Sequence, residues 1–389
     1  MSQLARQLRN VDMRVDPEDT WNNLSDSTVM QKYQASAAFA NEALRLVLTN
    51  AVVGANVSDL CKLGDDYILE QAAKVFSKGT VERGLAFPTC ISVNNVVSNY
   101  SPLKDEDAAV LESGDVVKVE LGVQIDGYVS TLAHTIVLNP TPTEPITGRK
   151  ADVIAAAYMA AEAAIRLVRA GNESSQIFQT VNQIASSFGV RPVDGTASHL
   201  MKRFLLEAEQ AIPNSTDPSA TPDFTFGENE VISINIVLST GAGQAYESTR
   251  HPTTVYQRDV SAAQGFKLKA SRNTFNTVTK TFGVFPFSSR GLFDLDAAHK
   301  LGLPEVVKSG VLCGRPVIVE EDGEFVAQFK ATVMVLPGNG GSMRLSAPLN
   351  CPYVHSVGGV SEQITTLLKQ DVRVAKAKNP TITSGMDLS

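Results

Sequence analysis

The stretch Asp115–Val123 (DVVKVELGV) has a counterpart at Glu230–Leu238 (EVISINIVL), and each is entered from a Gly-containing acidic turn. Both alternate strictly. Val117, Val119 and Leu121 oppose Lys118 and Glu120, while Ile234 and Ile236 oppose Ser233 and Asn235, the period-two signature of a β-strand with one apolar face. Each copy is preceded by two helical patterns. An αα-then-β order repeated once predicts a pseudo-symmetric α+β duplication, not the β-α alternation of a doubly wound sheet. Chance similarity of amphipathic segments is the alternative that the pattern by itself leaves open.

Working outward, Ser25, Asp26 and Ser27 offer N-caps for a helix with the apolar stripe Tyr33, Ala37, Ala40, Leu44 and Val47. After Gly54 a second helix begins near Ser58 with Leu60, Leu63 and Tyr67, and strands are predicted at Ala86–Val97, Asp115–Gln124 and Tyr128–Leu138. Asp126-Gly127 between the last two is a two-residue hairpin signal. The linker Pro140, Pro142, Pro145 leads to the repeat: one stripe of Val153, Ala157, Ala160, Ala164 and Leu167 ending at Gly171, and another of Ile177, Val181, Ile184 and Phe188. Between strands near Thr253–Tyr256 and Arg315–Val319 lies a partly helical insertion with no counterpart in the first half. Beyond Gly359 an amphipathic helix is predicted at Glu362–Lys376, followed by the polar segment Asn379–Ser389. The expected organisation is an N-terminal extension (1–24), one duplicated domain (25–360, halves 25–139 and 151–360, insertion about 258–312) and a C-terminal helix and tail (361–389).

The composition, 43% hydrophobic and 19% charged over 389 residues, excludes disorder of the whole chain. Thirty-four Lys and Arg against 41 Asp and Glu give a net charge of −7, so any grip on a polyanion must be local. There is no uncharged apolar run of the roughly 18 residues that a membrane span needs, and Arg6, Arg9, Asp12 and Arg14 leave no signal-peptide core, so an intracellular protein is expected. Cys61, Cys90, Cys313 and Cys351 form no CxxC pair and read as reduced thiols, and the sequon at Asn172 is then silent. Pro337-Gly338-Asn339-Gly340-Gly341 follows a strand without opening a helix and lacks the P-loop's Lys-Ser/Thr ending, so it reads as a hairpin turn. A third alternating strand sets Gln328 and Lys330 against Ala327 and Phe329. The three polar faces either meet water or converge on one central cleft, and periodicity cannot choose.

Phe87-Pro88-Thr89, Ser92-Val93-Asn94-Asn95, Tyr100-Ser101-Pro102 and Gly114 through Gly122 resemble the central motif of the type-2 methionine aminopeptidases. Glu324-Phe325-Val326-Ala327-Gln328-Phe329-Lys330 and Gly127-Tyr128 through Ala133-His134-Thr135 are more closely similar to the proliferation-associated protein family, which includes the curved-DNA-binding proteins of yeasts. The resemblance spans about residues 25 to 370. It implies a pita-bread fold, itself a duplicated α+β unit, kept without the aminopeptidase chemistry.

In the aminopeptidases two divalent metals bridged by carboxylates polarise a shared water. The resemblance places the first aspartate ligand on Glu120, the bridging aspartate on Thr131, the metal-binding histidine on His199, the two glutamates on Asn235 and Lys330, and a substrate-positioning histidine on Asn99. Four carboxylates thus become one, joined by a cation, and a second metal has nothing to balance its charge. The expectation is no metal and no cofactor, with a Glu120–Lys330 ion pair in their place and Thr131, Asn235 and His199 as neutral neighbours. His199 as a leftover mononuclear ligand is the alternative.

Function is then expected on the exterior. Arg258, Lys267, Lys269, Arg272 and Lys280 face only Asp259 within Arg258–Lys280, a local inversion in an acidic chain. Phe266 and Phe275 either stack on exposed bases or belong to a core beneath a solvated basic face. The resemblance implies binding to the large ribosomal subunit and structured RNA, with roles in ribosome biogenesis, translation or growth control, in cytoplasm and nucleus, the nucleolus included. A curved- or duplex-DNA-binding regulator is the runner-up, and an active metallopeptidase the distant third. The tail carries Lys369, Arg373, Lys376 and Lys378 against Asp371, but lacks the long polylysine terminus of animal relatives. Ile364-Thr365-Thr366-Leu367-Leu368 resembles a leucine-rich coregulator motif through which protein partners would bind, or is the buried stripe of its helix. No membrane contact is expected, and a monomer is the default.

Overall fold

Asp26 caps the first helix by accepting from the Thr28 N–H, and α1 (Ser27–Asn50) buries Tyr33, Ala37, Ala40, Leu44 and Val47 as its stripe requires. Asn56 caps α2 (Val57–Ala73) in the same way through the Ser58 N–H. These belong to a computed structural model that describes residues 22–375 except 78–79, 105–108, 142, 216–221, 263–264 and 339–340. Most of the expected N-terminal extension, Pro142 of the linker, Asn339-Gly340, and the tail from 376 onward, with Lys376, Lys378 and the 379–389 segment, lie outside the described residues.

The predicted strand Ala86–Val97 is two strands, β1 (Arg83–Val93) and β2 (Val96–Ser98). Asn94 takes a left-handed φ of 50° between them, and its side chain fixes that turn by donating Nδ2 to Asp115 Oδ1 at 2.8 Å and accepting from the Val116 N–H at 2.9 Å. The hairpin β3 (Val116–Ile125) and β4 (Tyr128–Val137) closes at Asp126-Gly127, with φ of 56° and 79° as a type I′ turn demands. After the linker come α3 (Gly148–Leu167) and α4 (Ser174–Ser187), then β5 (Arg191–Pro192), β6 (Ala197–Met201), β7 (Ala211–Pro213), β8 (Val231–Ser239) and β9 (Tyr246–Glu247). The insertion is carried on β10 (Val255–Arg258) and β12 (Leu312–Arg315), and holds α5 (Lys269–Thr281), β11 (Phe287–Ser288), α6 (Ser289–Leu295) and α7 (His299–Lys308). The chain returns through β13 (Ile318–Val319), β14 (Val326–Val335), β15 (Ser342–Arg344), α8 (Glu362–Leu368) and β16 (Arg373–Val374).

The main sheet runs β1-β3-β4-β14-β8-β6-β7, so β1-β3-β4 and β14-β8-β6 meet at β4 and β14 in mirrored order, with β7 added beyond β6. That is the duplication anticipated from the repeated strand, and it makes β3 and β8 equivalents. One face of the sheet is apolar: Val117, Val119, Leu121 and Val123 pack against α1 and α2, and Ile232, Ile234, Ile236, Ala331 and Val333 against α3 and α4. The other face carries the polar partners of each alternation. Of the two readings left open, convergence is the one observed, because Glu120, Ser233 and Gln328 are buried.

The insertion has its own core of Phe275, Val278, Phe287, Leu292, Leu303, Val306, Val311 and Leu312. Gly302 lets α7 approach α5; a Cβ there would stand 2.3 Å from Thr274 Oγ1 and 2.6 Å from the Ala270 carbonyl oxygen. A buried ion pair anchors the insertion to the first half: Arg290 Nη2 lies 2.6 Å from Asp65 Oδ2, and Arg290 also donates to the Pro102 carbonyl and the Ser101 hydroxyl.

At the C-terminus the predicted helix to Lys376 is shorter than expected. α8 ends at Leu368, and Arg373–Val374 pairs in parallel with Met343–Arg344 as an edge strand. Ile364 is buried against the second-half core, with Leu367 and Leu368 packed beside it, so the leucine-rich stripe is occupied within the fold. β14 pairs antiparallel with β15, and the Gly-rich segment between them includes Asn339-Gly340, outside the described residues.

Candidate functional site

Register brings the polar face to a focus. Lys330 of β14 pairs with Ala133 of β4 on one side and Asn235 of β8 on the other, while Ala133 pairs with Glu120 of β3. Glu120, Ala133, Lys330 and Asn235 therefore form one row across four strands, and residues directly opposite project to the same side. Below this row lies a cavity of about 310 Å³. Its lining includes Asn99, Glu120, Thr131, His199, Asn235 and Lys330, drawn from five separate strands and a loop.

Lys330 Nζ lies 2.5 Å from Glu120 Oε1, with side chains 16% and 8% exposed. The ammonium also stands 5.7 Å from the centre of the Phe87 ring. Around this pair the neutral groups are occupied by one another. Thr131 Oγ1 and Ser233 Oγ are 2.9 Å apart. Asn235 Oδ1 accepts from Gln328 Nε2 at 2.9 Å, and its Nδ2 donates to the Ala197 carbonyl at 3.3 Å. Asn99, at a left-handed φ of 65°, donates Nδ2 to the Pro316 carbonyl at 2.9 Å, linking the first half to the return of the insertion.

His199 presents a buried Nδ1 with no hydrogen-bond partner among the described residues. Burial holds its imidazole below the ordinary value, with Glu207 pulling the other way. Glu207 and Arg315 also line the cavity, and sequence reading missed both. Arg315 Nη2 grips Glu207 at 2.9 and 3.0 Å and Gln257 Oε1 at 2.7 Å. Desolvation at the cleft raises the Glu207 carboxyl, but Arg315, His199 and Lys330 together outweigh it and the net direction is down. Glu207 reaches the cleft from a loop and Arg315 from the strand that closes the insertion, so neither carried a periodic signal.

Two bridged dications do not fit this donor set. A hard cation wants carboxylate oxygens, yet at the focus of the row one carboxylate is spent on an ammonium, and an alcohol and an amide are spent on their neighbours. Among the described residues no group of three or more His, Cys, Asp or Glu side chains is placed to hold a metal ion.

The basic segment has a different geometry. Lys269, Arg272 and Lys280 are exposed on α5, with Lys267 exposed just before it. Arg258 stands apart: it is half-buried, its guanidinium 5.3 Å from the centre of the Phe275 ring, and its Nε is buried without a partner among the described residues. Phe275 belongs to the insertion core, with Phe266 packed on it at 5.3 Å between ring centres. The stacking role considered for these two rings is therefore corrected. The amphipathic period of α5 turns the aromatic face inward and the cations outward.

A duplicated α+β unit whose mirrored halves enclose a polar cleft is the pita-bread architecture of the metal-dependent aminopeptidases and their relatives. The description Metallopeptidase family M24 matches residues 31–257. The chain belongs to that family and, within it, to the group of proliferation-associated and curved-DNA-binding proteins. It is 41% identical over 357 residues to Proliferation-associated protein A of Dictyostelium discoideum, covering 91% of each chain. It is 33% identical over 362 residues to Curved DNA-binding protein of Schizosaccharomyces pombe, covering 92% of this chain and 93% of that one. A solved thermophilic Arx1 superposes with a TM-score of 0.80 at 25% identity, covering 90% of this chain and 99% of the other. No helix among the described residues is long and apolar enough to cross a membrane.

Proposed function

We propose that this chain is a non-catalytic M24 protein that binds the large ribosomal subunit and structured RNA through its insertion. The observation that carries the loss of catalysis is the Lys330 ammonium bonded to Glu120 where the resemblance would put metals. An internal pair satisfies the electrostatics that dications satisfy in the aminopeptidases, and it offers no Lewis acid and no activated water. The binding half rests on the exposed row Lys267, Lys269, Arg272 and Lys280. It rests also on the resemblance to ribosome- and RNA-associated proteins. The protein is expected in cytoplasm and nucleus.

Replacing Lys267, Lys269 and Arg272 by glutamate tests this. Salt-sensitive co-sedimentation with large ribosomal subunits should be lost while the folded state is kept, because phosphate contacts dominate such affinity. Unchanged co-sedimentation would move the interface elsewhere.

A curved- or duplex-DNA-binding role is the second reading. It is favoured by the burial of Phe275, since a surface without stacking rings suits backbone reading of a duplex, and a relative bears that name. Competition between ribosomes, hairpin RNA and bent duplex at matched salt ranks the two.

A further inference from the structure

We propose that the groove between α2 and the insertion takes up a short, uncharged, partly apolar peptide segment of another protein, which adds as a strand to the free edge of β1. This goes beyond the proposed function. The groove has a volume of about 530 Å³. Its walls include Leu69 of α2 and, from the insertion, Phe282 and Leu295, while Arg83 and Leu85 of β1 and Gln124 of β3 form its floor.

β1 is the terminal strand of the main sheet, so one of its edges has no strand beyond it. The insertion's β11 lies against β1 but pairs only with β10. The phase of the β1–β3 ladder decides which groups point outward. The Asp126 N–H donates to the Glu82 carbonyl, and Gly84 stands opposite Gln124. Alternate residues of an antiparallel pair exchange both bonds, so Glu82 and Gly84 turn their backbone groups to β3. Arg83 and Leu85 therefore turn theirs to the groove.

A second observation points to a ligand. Gln124 is buried, and its Oε1 is taken by the Gly127 N–H at 3.0 Å. Nε2 is then the group it presents to the cavity, with no hydrogen-bond partner among the described residues. Gly84 has no side chain to cover that amide. Outward N–H and C=O groups at strand spacing, joined by an amide donor, match another peptide backbone, which offers acceptors and donors in the same alternation.

Charge selects the kind of peptide. Lys62, Arg83, Lys280 and Arg290 in the lining face an equal number of carboxylates, so no excess of cations invites a polyanion. Lys62 lies 3.0 Å from Asp66 and 3.2 Å from Asp294, and Arg290 is committed to Asp65. Leu69 and Leu295 are exposed, and Phe282 is held flat against Phe287 at 4.5 Å between ring centres. An added strand sends alternate side chains to these walls, so apolar residues at every second position fit.

The test selects a phage-displayed library of random heptapeptides on the full chain, with the L69Q/L295Q chain as counter-target. Both leucines are exposed, so the variant empties no core. Uncharged sequences with alternate apolar residues are expected to enrich on the parent chain. The strongest, synthesised with blocked ends, should bind the parent about tenfold more tightly than the variant in fluorescence anisotropy. Two N-methylated forms then read the backbone: methylation of one alternate set of residues should abolish binding, and methylation of the other set should leave it. No enrichment, equal binding to both chains, or equal effects of the two methylated forms overturns the site. A lowered melting temperature in L69Q/L295Q assigns the leucines to folding and overturns it too. Displacement of the peptide by a short RNA hairpin overturns the choice of a peptide. Self-association of the parent that L69Q/L295Q abolishes assigns the groove to a second copy and overturns the outside strand. Lys267, Lys269 and Arg272 do not line the groove, so the peptide signal and ribosome co-sedimentation fail independently.

Discussion

Glu120 and Lys330 each lose most of their contact with water, so the pair's attraction must offset two desolvation costs. The K330M variant would leave a carboxylate in the cleft without its cation and is expected to lose about 3 kcal/mol in denaturant unfolding. The double variant E120Q/K330M removes both charges and should recover to within about 1 kcal/mol of the parent. Equal losses in the two would contradict the pair as a coupled unit. His134 offers a second test at the same scale. It is buried, edge-on to Phe329 at 5.2 Å between ring centres, with Cys351 Sγ 4.0 Å from Nε2. Burial pushes its imidazole down from 6.5 to about 4. Between those values the unfolded chain binds a proton that the folded chain refuses, so stability falls as pH falls through this window, by up to about 3 kcal/mol. H134Q should lose less stability over the same window; an identical acid limb would assign that limb to other groups.

At the scale of elements, β3 shows why alternation is easy to see and its meaning hard. Val117, Val119 and Leu121 announce a strand whether the opposite face meets water or a cleft, because both environments accept Lys118 and Glu120. Register settles the matter, and register depends on partners hundreds of residues away in sequence. The paired repeats were legible because each is a local pattern, and so was the hairpin at Asp126-Gly127, which needs left-handed residues. The direction of α5 was not, since a run of cations masks the aromatic face that Phe266 and Phe275 supply. Nor was the end of α8: Val372 and Ala375 prolong a helical period into what is an edge strand.

Lys118 makes a prediction of its own on β3. It is 1% exposed, its Nζ donates to the Asn94 carbonyl at 2.9 Å, and burial lowers it from 10.5 to about 7. Above about pH 7 the unfolded chain keeps a proton that the folded chain releases, so this group makes stability rise with pH toward 10.5. The Val326 N–H also donates to Asn94, at 3.1 Å, so methionine at 118 leaves no orphaned carbonyl. K118M should gain roughly 1–2 kcal/mol at neutral pH and flatten the alkaline rise in melting temperature. A loss would mean that the ammonium organises the Asn94 turn.

Across the whole molecule, the duplication builds a rigid interior and the insertion builds an exterior. Asp65 and Arg290 lock the two together, while Asn99 and Arg315 connect the insertion's return to the cleft wall. Neither Glu207 nor Arg315 stood out in the sequence, because the cleft recruits them through tertiary placement, not through a motif. The central claim is that the M24 cleft persists with its ion chemistry replaced by a side-chain pair. The most direct test is the metal content of the chain, purified without chelator, equilibrated with excess cobalt or manganese, desalted and read by mass spectrometry. The account predicts no stoichiometric metal in the parent chain. A divalent ion retained at one or two per chain, lost in a variant with Glu120 replaced by glutamine, would contradict it.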